Sequence, residues 1–159
     1  MDLKTLYREV ILDHYKAPRN TAELSQPSLQ ADCRNPSCGD KIRIQLGIDN
    51  GVVTDVAMLG NGCAISQASA SMMTEAIKGR SLPQVEEVMA EFRKMVLSGN
   101  DDWDRQKLGD LVILEGVARL HARVKCAMCG WSALEAALEE DGADVNLDDS
   151  RDLPASSRA

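Results

Sequence analysis

DCRNPSCGDKIRIQLGIDNGVVTDVAML, residues 32–59, holds two apolar runs joined by a tight turn and preceded by a loop that carries two cysteines. Ile42, Ile44, Leu46 and Ile48 alternate with Arg43, Gln45 and Gly47, which is the period of a strand with one buried face. Asp49-Asn50-Gly51 separates this run from Val52–Leu59; Asn and Gly tolerate the positive φ that a short hairpin turn needs. Leu29–Arg34 reads as a third strand. The segment therefore predicts a three-stranded antiparallel sheet, apolar on one face and polar or wet on the other.

Outward from this hairpin the period becomes helical. Leu3, Leu6, Tyr7, Val10, Ile11 and His14 give an amphipathic helix over 3–16, stopped by Ala17-Pro18 because proline disfavours helical geometry in the residue before it. From Cys63 to about Gly79 the small residues and methionines suit a second helix. Leu82-Pro83-Gln84 starts a third, with proline near its first turn, running to about Leu97. A short helix is expected over 108–117 and a final one over 126–140. Strands first and helices after imply an α+β fold, with helices packed on the sheet and the cysteine loops at one end.

The chain has 159 residues, enough to bury a sizeable core in one domain. Its net charge of −7 is concentrated in residues 139–159, where seven acids face only Arg151 and Arg158. The expected organisation is a folded domain over 1–142 and an acidic mobile tail over 143–159. An acidic chain with no basic stripe is a poor nucleic-acid binder. Met1–Lys16 lacks the basic start and apolar core of a secretory signal, and no apolar run reaches the roughly 18–20 residues of a membrane span. A cytoplasmic location is expected. Thiols stay reduced there, so five cysteines suggest metal or reactive sulfur before disulfides.

Three of the cysteines lie in distinctive settings. Cys38 sits in Pro36-Ser37-Cys38-Gly39-Asp40, Cys63 follows Gly60-Asn61-Gly62, and Cys126 follows Arg123-Val124-Lys125. Cys63 and Cys126 are each expected to begin a helix, where free amides favour a thiolate. Asp40 lies two residues after Cys38, so an extended loop would point both side chains one way. Three thiolates and a carboxylate would satisfy tetrahedral zinc; the same soft set would accept iron with sulfide. Cys33 and Cys129 read as small buried hydrophobes, and Met72-Met73 as core. His14 and His121 read as a helix-surface group and a packed polar group.

Taken together, Asn35-Pro36-Ser37-Cys38-Gly39-Asp40, Gly60-Asn61-Gly62-Cys63-Ala64-Ile65-Ser66 and Arg123-Val124-Lys125-Cys126-Ala127 resemble the three cysteine motifs of the U-type (IscU/NifU N-terminal-like) iron–sulfur cluster assembly family. Leu6-Tyr7-Arg8-Glu9-Val10-Ile11-Leu12-Asp13-His14-Tyr15, with Pro18-Arg19-Asn20, extends the likeness to residues 3–140. Lys125 replaces the histidine that the scaffold branch carries before its third cysteine, and residues 108–117 look like the insertion of the SufU-type branch.

That resemblance implies zinc held by Cys38, Asp40, Cys63 and Cys126, and persulfide sulfur accepted from a pyridoxal-phosphate cysteine desulfurase. The protein would then be a partner of the desulfurase more than a stand-alone enzyme, passing sulfur on to a downstream cluster scaffold. Cys38 is the expected acceptor, with Cys126 next; Arg123 and Lys125 would hold the thiolate or contact the partner. The alternative is a scaffold that builds and transfers a [2Fe–2S] cluster on the same four residues. A zinc-stabilised interaction module is a third reading. A reductase using Cys126 and Cys129 is the weakest, since no βαβ pattern surrounds the pair.

Overall fold

The computed structural model describes residues 3–98, 101–139 and 145–147. Helix α1 (Leu3–Lys16) precedes strands β1 (Leu29–Asn35), β2 (Asp40–Asp49) and β3 (Val52–Asn61). Helices α2 (Ala64–Ile77), α3 (Leu82–Leu97), the short α4 (Arg105–Leu108) and α5 (His121–Leu138) follow, with a 3-10 segment at Gly109–Arg119 and strand β4 at Val145–Asn146. This is the expected α+β architecture.

The hairpin forms as its sequence dictates. Asp49 pairs with Val52, and Asn50 and Gly51 take φ of 51° and 74°, the two positive values of a turn whose twist matches the strands it joins. Ile42, Ile44 and Leu46 are fully buried on one face of β2, under α5. The opposite face is less wet than expected. Gln45 is buried there, accepting from Leu24 N at 2.9 Å and donating to Gln30 at 2.9 Å, because the loop after α1 lies across it.

The sheet is four-stranded and mixed, in the order β3-β2-β1-β4, where three antiparallel strands were expected. Val145 and Asn146 pair in parallel with Cys33 and Arg34, Leu147 N donates to Arg34 O at 2.8 Å, and the Leu147 side chain is completely buried. The sequence reading put these three residues in an acidic tail. A two-residue strand inside a run of acids has too few apolar positions to show a period, and only the open edge of β1 gives it a partner. The rest of that expected tail, residues 143–144 and 148–159, lies outside the described residues.

α2 and α5 cross closely because their contact is made of small residues. A Cβ on Gly130 would sit 2.7 Å from Ala70 Cβ, and Ser69 Oγ bridges the helices, donating to Ala127 O at 2.7 Å and accepting from Trp131 Nε1 at 3.1 Å. Trp131 stacks on Phe92 with ring centroids 4.2 Å apart, which fixes α3 against α5. Met72 and Met73 are core residues as expected. The two histidines exchange their expected places. His14 is buried, 2.8 Å from Ser71 Oγ and 3.6 Å from the Glu75 carboxylate, whereas His121 is exposed at the start of α5. Among the described residues no helix is long and apolar enough to cross a membrane.

Two tests follow from this packing. Leu147→Ala should lower stability by about 2–3 kcal/mol, read from urea unfolding; an unchanged midpoint would mean that β4 adds nothing to the fold. Burial holds the His14 pKa below its ordinary value, so unfolding takes up a proton. Stability is therefore complete above the unfolded histidine pKa of about 6.5 and declines as pH falls through it toward the depressed folded value. His14→Gln should flatten the loss between about pH 7.5 and about pH 5.5, measured by thermal unfolding at both.

Candidate metal centre

The site lies at the end of the sheet where β1 turns into β2. Asn35 and Asp40 are paired residues of the two strands, and the intervening loop is closed by Cys38 N→Asn35 O at 3.1 Å and Gly39 N→Pro36 O at 3.3 Å. Gly39 has φ 70°, which glycine adopts without strain. This tight loop leaves Cys38 half-exposed at the mouth of the site and Asp40 buried at its floor.

Asp40 is held from three directions. Its Oδ1 accepts from Cys63 N at 2.8 Å and Ser66 Oγ at 3.0 Å, and its Oδ2 accepts from Asn35 Nδ2 at 3.0 Å. The first two donors belong to the start of α2, for which Cys63 is the N-cap, its sulfur accepting from Ser66 N at 3.5 Å. A buried carboxylate at that position meets free amides and the positive end of the helix dipole. Gly62 lets it approach, since a Cβ there would overlap Asp40 Oδ1 and Ser66 Oγ.

The third motif enters from α5. Cys126 is buried, with its sulfur 3.1 Å from Cys38 Sγ and 3.6 Å from Asn35 Nδ2. Ligand atoms of Cys38, Asp40 and Cys126 all lie within 4.8 Å of one another. Cys63 stands at the rim of this group: its backbone amide engages Asp40, and its thiol is near enough to affect Cys126. Burial pushes the Cys126 thiol pKa up, and the neighbouring Cys38 and Cys63 thiols and the Asp40 charge reinforce the shift.

Cys126 was expected to open a helix. α5 begins at His121 instead, because Arg123-Val124-Lys125 are themselves helical, so Cys126 sits in the second turn without helix-end amides. Two sulfurs and a carboxylate within 4.8 Å of one another, with the Cys63 thiol beside them, form a donor set that could hold a soft divalent cation.

Arg123 reaches the site from solvent, its guanidinium 3.7 Å from Cys38 Sγ. Hydrogen bonding to Cys126 and the charge of the facing thiols raise its pKa further, so it remains cationic. Lys125 is half-exposed on the same helix. Cys33 and Cys129 lie in the core, with Cys129 Sγ 3.4 Å from Cys33 O, and stand apart from the compact group. The sequence reading missed Asn35 and Ser66. Strand register could have found the first, opposite Asp40, and the three-residue step from an N-cap could have found the second.

Residues 6–127 match the model of the NifU-like N-terminal domain, and the chain belongs to that family. It is 46% identical over 143 residues to the zinc-dependent sulfurtransferase SufU of Bacillus subtilis, covering 89% of this chain and 96% of that protein. It is 35% identical over 147 residues to the iron–sulfur cluster assembly scaffold protein IscU of Streptococcus pyogenes, covering 92% and 91%. A crystal structure from Fervidobacterium islandicum, described as a candidate iron–sulfur cluster assembly scaffold protein for the SUF system, superposes with a TM-score of 0.79 at 32% identity, over 85% of this chain and 98% of that one.

Gly62→Ala should force apart the start of α2 and β2, costing about 1–3 kcal/mol and exposing Cys63. Urea unfolding together with the alkylation rate of Cys63 checks this; wild-type values for both would show that the contact is loose.

Proposed function

We propose that this protein serves iron–sulfur cluster assembly by accepting persulfide sulfur from a pyridoxal-phosphate cysteine desulfurase in the cytoplasm, with zinc bound by Cys38, Asp40, Cys63 and Cys126. The observation that carries the reading is the meeting of Cys38, Asp40 and Cys126 within 4.8 Å, with Cys38 the most accessible of the three. The likeness to the B. subtilis zinc-dependent sulfurtransferase supports it, and that to the S. pyogenes scaffold supports a place in cluster assembly. Bound zinc would keep the thiolates ionised near neutral pH and shield them from oxidation.

Cys38 is the acceptor. Its Sγ, as thiolate, attacks the outer sulfur of the donor's Cys–S–SH; the donor's S–S bond breaks, and the donor cysteine leaves as a thiolate. The transferred sulfur stays on Cys38 as a new persulfide, and no external oxidant is consumed. Arg123 stabilises negative charge on Cys38 from the solvent side. With Lys125 it offers a cationic contact to the desulfurase, and a downstream scaffold then receives the sulfur. The S. pyogenes relative's description as a scaffold keeps cluster assembly on the same residues as the second reading.

Metal and sulfide analysis of anaerobically purified protein separates the two. The sulfur-transfer reading expects about one zinc per chain, no acid-labile sulfide, and zinc retention weakened by Asp40→Ala. Cys38→Ser should cut persulfide acceptance from the desulfurase by more than about 100-fold. Iron and sulfide in equal amounts would make this a scaffold, and persulfide found on Cys126 instead would reassign the acceptor.

A further inference from the structure

We propose that Asn35 is a positioning residue that fixes Asp40 and Cys126 relative to one another as the buried floor of the centre. The proposal rests on the metal-site reading above. Asn35 is completely buried, and its amide nitrogen lies 3.0 Å from Asp40 Oδ2 and 3.6 Å from Cys126 Sγ. One side chain thus spans residues from β2 and α5, which are 86 positions apart in sequence. An amide nitrogen carries two hydrogens, one for each acceptor.

The orientation of the amide is fixed by its neighbours. Turned over, it would set an oxygen against the Asp40 carboxylate. As placed, its Oδ1 is buried and finds no donor among the described residues. Leaving a buried acceptor unmatched is costly, so packing alone does not account for an asparagine here; its two N–H groups do. Hydrogen-bonded partners behind metal ligands fix ligand direction and strengthen binding.

Cys38 is held as well, by its amide on Asn35 O at 3.1 Å and by its sulfur 3.1 Å from Cys126 Sγ, but its outer side is open. Its half-exposed sulfur meets the Arg123 guanidinium at 3.7 Å on the solvent side, and a flexible arginine yields readily to an approaching partner. Asp40 and Cys126 are buried and cross-braced. The site therefore has a buried, cross-braced floor and a half-exposed mouth, with Asn35 as the brace of the floor.

The test compares the full-length protein with Asn35→Leu, which keeps the shape and removes both donors, and with Asn35→Ala should leucine not be accommodated. Zinc affinity is measured by chelator competition, and the thiolate-to-metal charge-transfer bands are recorded with cobalt(II). Metal-free circular dichroism and thermal unfolding report the fold. The expected result is a zinc dissociation constant raised about 10- to 100-fold and altered cobalt bands, in variants that keep the parent's metal-free fold. Zinc affinity within about twofold of the parent in a folded variant, with unchanged cobalt bands, would overturn the role of Asn35 and leave the metal reading intact. A parent protein that binds no zinc would overturn the metal reading and this role together.

Discussion

The Asp40 carboxylate is the constraint on which the site depends. It begins β2, yet it is bonded to the first turn of α2 through Cys63 N and Ser66 Oγ and to the end of β1 through Asn35. A buried charge is tolerated only where donors surround it. Here the donors come from the β3–α2 junction and from the end of β1, so satisfying one carboxylate also sets the distance between the Cys38 loop and the helix that Cys63 caps. The same requirement explains Gly62, since any side chain there would occupy the volume through which Asp40 reaches α2.

Placement of the third motif is a packing problem. Cys126 reaches the sheet end because α5 lies on β1 and β2 and is pressed against α2 along a seam of small residues, where Gly130 faces Ala70 and Ser69 joins Ala127 to Trp131. The stack of Trp131 on Phe92 holds the far side of the helix. Close packing of this kind has little compliance, so the sulfur of Cys126 is located by contacts well away from it. Cys38, by contrast, owes its place to a four-residue loop, to Cys126 Sγ on its inner side and to Arg123 on its outer side. The two thiols are thus held differently, Cys126 buried and Cys38 half-exposed.

Much of this was legible in the chain. The alternation over Ile42–Ile48 and the Asn50-Gly51 turn specify the central hairpin through local backbone physics, and the three cysteine motifs announce a sulfur site before any contact is known. What failed locally failed for identifiable reasons. β4 is too short to show a period, and it exists only because the edge of β1 accepts it. The start of α5 was read too late because Arg123 and Lys125 look like loop charges until the helix is seen to run through them. His14 looked like a surface group because the partner that buries it, Ser71, is 57 residues away.

The sequence by itself determined the hairpin and the α+β class, since those follow from side-chain period and turn chemistry over short spans, and through its cysteine motifs it put Cys38, Asp40, Cys63 and Cys126 forward as candidate ligands. Only the tertiary structure decided which of them share a floor and which stands at the mouth. Cys63 contributes an amide to Asp40 as well as a thiol, Cys126 loses the helix-end amides expected for it, and Asn35 ties together residues that no local pattern connects. Those outcomes depend on burial and on distances across elements, which a linear chain does not encode locally and which packing alone fixes.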